Sequence, residues 1–88
     1  MKEVKTSTGF KCKVNENVVK DWRFIKALSL MNSADEMDIV TGATQTVTLL
    51  LGAKGEQELC RHVEQDGVAP VEDIMREVKE IIEKLEKK

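Results

Sequence analysis

The sequence predicts a mainly α fold of the small α+β kind, an N-terminal β-hairpin followed by about four helices in a compact bundle. Apolar and basic residues alternate over positions 1–14. Beyond them, apolar residues recur at spacings of three and four, and polar or glycine breaks at Asn32-Ser33, Gly52 with Gly55, and Gln65-Asp66-Gly67 separate the runs. A change of period from 2 to 3.6 marks the passage from strand to helix. The 88 residues read as a single domain, 1–88, of a size that buries roughly 60–65% of its unfolded surface.

Each element has its own signal. In the hairpin, Phe10, Cys12 and Val14 share one face and Lys11 and Lys13 the other, with a turn at Ser7-Thr8-Gly9. Two strands alone are marginal, so the apolar face must lean on helices. Asn15 reads as the N-cap of a helix over 16–31. On that helix Val18, Trp22, Phe24, Ile25, Leu28 and Met31 form a broad apolar arc, with Trp22 expected as a core anchor. Val19, Ala27 and Leu30 fall outside the arc, so the helix is apolar on more than one side, as expected for a central helix sandwiched in the fold or for one offering a spare face to a partner.

Ser33 and Glu36 form a capping-box signature for a second helix over 34–51, with Ile39, Val40, Ala43, Val47, Leu50 and Leu51 on one face. Its threonines at 41, 44, 46 and 48 and Gly42 pull against helix. Gly52 is expected to end it. Leu50 and Leu51 are then core and Leu49 is interface, so Leu49→Glu is expected to spare folding and Leu50→Glu to abolish it. A short helix over 56–64 is anchored by Leu59 and Val63. The last helix, 71–87, has the cleanest stripe: Val71, Ile74, Met75, Val78, Ile81, Ile82 and Leu85, with acids in its first turn and lysines at 84, 87 and 88.

Chemistry is sparse. The glycines at 52 and 55 lack the Lys-Ser/Thr of a phosphate loop, and no cofactor is implied. Cys60 and His62 are two apart, which points them to different sides of a helix and argues against a metal pair. His62 is expected at the surface or its boundary. The acids fall at helix-surface positions, which leaves no general acid or base, and an enzyme is not expected. Cys12 and Cys60 read as small packing residues in a reduced setting. No apolar run approaches ~18 residues, so no membrane span is expected and the chain is placed in the cytoplasm.

Charge is segregated. Residues 1–31 carry seven Lys or Arg against three acids and residues 32–88 seven against thirteen, for a net charge of −2. Such polarity can steer a partner or favour head-to-tail self-association.

Several stretches taken together resemble the small tail assembly chaperones of tailed phages and prophages of Gram-positive bacteria. They are Lys5-Thr6-Ser7-Thr8-Gly9-Phe10, Asn15-Glu16-Asn17-Val18, Asp21-Trp22-Arg23-Phe24-Ile25-Lys26-Ala27-Leu28, Leu49-Leu50-Leu51-Gly52 with Glu56-Gln57, and Asp66-Gly67-Val68-Ala69-Pro70-Val71-Glu72. The match is poorest over 32–46. The resemblance implies a non-enzymatic factor that binds the tape-measure protein, keeps it soluble, and assists assembly of the tail tube from its subunits in the host cytoplasm. Val19, Leu30 and Leu49 are the residues expected to meet partners, with self-association alongside. The alternative is a small prophage regulator that binds DNA through the basic N-terminal half. Nucleic acid is the less expected partner, because the chain is acidic overall and has no arginine cluster.

Overall fold

A computed structural model describes residues 2–86. Strands β1 (Lys2–Lys5) and β2 (Lys11–Val14) pair antiparallel, with Val4 opposite Cys12 and Lys2 opposite Val14. A 3-10 turn (Glu16–Lys20) leads to α1 (Trp22–Met31), then α2 (Glu36–Val63) and α3 (Val71–Glu86). This is the small, mainly helical fold with an N-terminal hairpin that the sequence predicts. The expected second and third helices are both present, as the two arms of α2 that meet at a kink at Gly52.

The hairpin follows its alternation. Val4, Phe10 and Val14 are buried, and Lys11 and Lys13 face solvent. Gly9 at φ 95° closes the turn, its amide donating to the Thr6 carbonyl at 3.0 Å. β1 packs on α3 and β2 on α2. Met1 lies outside the described residues, as do Lys87 and Lys88, including the last position expected for the final helix.

The helix expected over 16–31 is broken at Asp21. Asn15 caps only the 3-10 turn, accepting from the Asn17 amide, and Asp21 is extended (φ −73°, ψ 133°) and caps α1 by accepting from the Arg23 amide at 2.7 Å. With the helix restarted, its inward stripe is Phe24, Ala27, Leu28 and Met31, at the i, i+3, i+4, i+7 spacing of a core-facing helix. Ala27, expected outside the apolar arc, is fully buried, whereas Trp22 is 75% exposed and Ile25 is exposed too. Trp22 is therefore not a core anchor.

Asp35, not Ser33, is the N-cap of α2, accepting from the Met37 amide at 2.8 Å, and the helix begins at Glu36. Ser33 supports the cap from behind: its hydroxyl accepts from the Asp35 amide and donates to Asp38. The threonines are accommodated by returning their hydroxyl protons to the preceding turn. Thr44, Thr46 and Thr48 donate to the carbonyls of Val40, Gly42 and Thr44 at 2.8, 2.7 and 3.0 Å. Thr46 can thereby be fully buried without an unpaired hydroxyl.

Gly42 sits where α1 and α2 cross. A Cβ there would lie 2.5 Å from the Ala27 carbonyl oxygen and 2.8 Å from both the Leu30 Cβ and the Met31 amide nitrogen. Gly52 (φ 74°, ψ 175°) is the one non-helical residue inside α2. It divides the helix into arms 36–51 and 53–63, so helix resumes directly after it rather than at 56. Leu50 is buried as expected, but Leu49 and Leu51 are both half-buried against the core, so the expected contrast between them is absent. Glu in place of Leu49 is thus expected to cost stability as well as to alter the surface.

Past Val63, Asp66 (φ 54°) and Gly67 (φ 80°) form a tight turn closed by paired hydrogen bonds between Gln65 and Val68. Pro70 then opens α3, its carbonyl accepting from the Asp73 and Ile74 amides. Leu59, Val63, Val78 and Ile81 complete the core with the hairpin and Phe24.

Candidate functional site

Two surface features stand out. The first is a polar cluster where the hairpin tip meets the end of α2 and the middle of α3. The Thr8 hydroxyl donates to the Glu77 carboxylate and lies 2.9 Å from His62 Nε2. Because that hydroxyl proton is committed to Glu77, the contact is satisfied by His62 Nε2–H donating to Thr8. The His62 ring, 28% exposed, leans on Phe10 with ring centres 5.3 Å apart. Glu77 is only 4% exposed, which departs from the expectation that every acid lies on a helix surface. Next to it, Ser7 donates to Glu80 through its amide and through its hydroxyl at 2.7 Å, and Lys2 Nζ donates to the Lys84 carbonyl at 3.0 Å.

Thr, His and Glu together invite comparison with a catalytic relay, but the geometry differs. A relay places the carboxylate on the ring nitrogen opposite the nucleophile. Glu77 approaches the same nitrogen as Thr8, 3.8 Å from Nε2. The cluster instead ties the hairpin to the two helices. Thr8→Ala is expected to destabilise the fold by roughly 1–2 kcal/mol, since it leaves a buried carboxylate short of a donor, and a shift of the urea midpoint checks this.

The Ser7 hydroxyl and amide hold the Glu80 carboxyl below its usual range. A group lowered on folding stabilises above its unfolded pKa, and that contribution fades as pH falls through the folded value. Ser7→Ala is therefore expected to flatten the acid limb of stability against pH and to leave the alkaline limb unchanged. Behind the hairpin, burial, and next the charge of Glu77, push the Cys12 thiol up to about 11. Cys12 is a protonated packing residue at neutral pH, and its alkylation by iodoacetamide is expected to rise with pH through an inflection near that value rather than near ~8.5.

The second feature is an apolar groove of about 170 Å³. The bend at Gly52 turns the two arms of α2 toward each other, and the start of α3 closes the third side. Ala43, Val47 and Leu59 form its buried floor, and Val40, Val71 and Met75 its wall. Val40 and Val71 are open to solvent, and the exposed Met37 and Val68 extend the apolar surface along the chain from the lining residues Val40 and Ala69. Glu56 is the single charged residue in the lining. A surface that keeps several large apolar side chains in water around a concavity has the character of a protein-binding site.

The residues expected from the sequence to meet partners lie elsewhere. Val19 and Leu49 are half-buried against the core, and Leu30 is half-buried beside Gly42. Leu49 also lines a shallow depression with Arg23, Lys26 and Gln45 between α1 and α2. The groove was not legible because it depends on the fold-back at Gly52, which brings residues 40–47 to residues 56–60 and 69–75. Its one sequence signal is that Val40 and Val71 head otherwise well-buried stripes.

Among the described residues no group of three His, Cys, Asp or Glu side chains is placed to hold a metal ion, and no helix is long and apolar enough to cross a membrane. Comparisons with protein-family models, curated proteins and solved structures give no match.

Proposed function

We propose that this chain is a tail assembly chaperone of a phage or prophage, non-enzymatic, which binds the tape-measure protein and assists assembly of the tail tube in the host cytoplasm. The observation that carries this reading beyond the resemblance is the groove framed by Val40, Val47, Leu59, Val71 and Met75. A long helical client offers apolar side chains at i, i+3, i+4 and i+7, and an apolar groove between helices is the surface that receives them. Methionine at 37 and 75 suits such a role, since an unbranched thioether adapts to successive segments of a client. Many weak, similar contacts along a long client fit a coating function better than one tight contact does.

Co-expression with a tape-measure protein from the same genome is the test. A soluble complex is expected, and Val40→Glu should abolish co-purification while leaving the far-UV circular dichroism of the chaperone unchanged. A tape-measure protein that stays insoluble with the wild-type chain refutes the reading. The DNA-binding alternative draws on Lys11 and Lys13 on the open face of the hairpin. It requires a salt-sensitive shift of duplex DNA, and no shift at low salt would remove it.

A further inference from the structure

The groove carries a sign as well as a shape. Its floor, Ala43, Val47 and Leu59, has no hydrogen-bonding side chain, and Thr44 at its edge has already returned its hydroxyl proton to the Val40 carbonyl at 2.8 Å. A guest is therefore held there by apolar burial. A groove of about 170 Å³ has room for one aromatic ring or one branched aliphatic side chain, since apolar cavities of about 150 Å³ admit benzene. That sets the size of an anchor but not what flanks it.

The rim is acidic. Glu56, the one charged side chain in the lining, is half-buried and has no ion-pair partner among the described residues. Arg61 borders a neighbouring depression with it but does not pair with it. Glu36 lies one turn before Val40, and Glu72 stands three residues before Met75, so each falls on the side of its helix that lines the groove. Both are exposed. Asp38 and Asp73 share those first turns, Asp38 accepting from the Ser33 hydroxyl and Asp73 paired with Arg76 at 3.4 Å. A helix N-terminus contributes only about half a positive charge, which two acids in its first turn outweigh. Among the described residues no lysine or arginine lines the groove, and the next lysine along α3, Lys79, comes a turn past the last lining residue, Met75.

We infer that the groove selects, from a helical client, those segments in which a large apolar residue has a lysine or arginine three or four positions away on the same face. The inference rests on the reading of the groove as the client-binding surface and adds the client's charge to it. The apolar residue enters between the two arms of α2, and the cation reaches Glu56 on the second arm. Glu56 gives up no partner of its own, so this contact is gained without breaking another. A segment equally apolar but flanked by acids meets repulsion from Glu36, Glu56 and Glu72. Burial thus holds any apolar segment weakly, and charge decides which segments are kept. On a long client the contacts then fall at its basic segments rather than at every apolar stretch.

The test measures, by fluorescence anisotropy, binding of the full-length chain to overlapping labelled peptides that tile the tape-measure protein from the same genome, each long enough for several helical turns. Peptides that bind are expected to carry lysine or arginine three or four positions from a large apolar residue, and to be released as salt rises. Peptides of equal hydropathy flanked by acids are expected to stay free. Glu56→Lys should weaken the bound peptides by roughly fivefold. Replacing the peptide's cation with glutamate should recover that loss in the variant and not in the wild type. Glu72→Lys, at an exposed position, is expected to act in the same direction, so the result does not hang on the folding of one variant. Bound peptides no more basic than the unbound apolar ones, or affinities indifferent to both charge reversals, overturn the inference and leave the client reading standing. Failure of every peptide to bind overturns it too, and co-expression then decides separately whether the client reading falls with it.

Discussion

Gly42→Ala is expected to lower the free energy of unfolding by about 2 kcal/mol, although alanine is the better helix former by about 1 kcal/mol. The added methyl would meet the Ala27 carbonyl oxygen at 2.5 Å and the Met31 amide nitrogen at 2.8 Å. These are backbone atoms of α1, which cannot rotate away as a side chain can. The two helices must separate, and the contacts of Thr46 and Met31 at the crossing separate with them. Urea unfolding should show a lower midpoint with an unchanged slope. Shortening Leu30 to alanine should give no relief, because it removes neither backbone atom and leaves the Leu30 Cβ 2.8 Å from the added methyl.

Gly52→Ala is expected to cost roughly 2–3 kcal/mol for the opposite reason. Nothing lies within 4 Å of a Cβ at this position, so space is not limiting. The obstacle is the backbone itself, since φ 74° with ψ 175° belongs to the mirror-image extended region that glycine alone enters readily. In a chemically synthesised chain, D-alanine at 52 should recover the loss, because the same torsions are ordinary for the mirror-image residue. The L-variant should also lose binding at the groove, whose two walls are the arms that Gly52 joins.

How legible these features were in the sequence depends on how local their causes are. The hairpin was legible because Val4, Phe10, Cys12 and Val14 alternate with polar residues, and strand alternation depends on nothing distant. The stripe of α3 was legible for the same reason. Gly52 was recognisable as the end of a helix from the apolar run before it, but the sequence did not reveal that helix restarts at once. That depends on which way the chain leaves the glycine.

The break at Asp21 was missed because an aspartate between Lys20 and Trp22 reads equally well as a solvated helical residue or as a cap. Carrying one helical phase from Asn15 to Met31 across that break put Trp22 in the core. Starting the phase at Trp22 gives the correct stripe of Phe24, Ala27, Leu28 and Met31. Gly42 looked like a weakness in α2 for a related reason: its benefit is a close crossing with α1, which only the tertiary structure contains. The burial of Glu77 was likewise hidden, since its partners Thr8 and His62 are 69 and 15 positions away.

The docking of the hairpin tip onto α3 has a consequence for the order of events as the chain is made. The strands leave the ribosome first, yet β1 packs on the last helix, and Ser7, Thr8 and Lys2 find their partners at Glu80, Glu77 and Lys84, separations of 73, 69 and 82 residues. β2 can pack on α2 earlier, but the hairpin face that β1 turns to α3 stays open to water until α3 has been synthesised. Contacts of such long range slow folding, because the entropy of closing the loop is lost before the contacts form. For that interval the growing chain displays an apolar strand pair that the finished molecule conceals, and a truncated product lacking α3 is expected to aggregate through it.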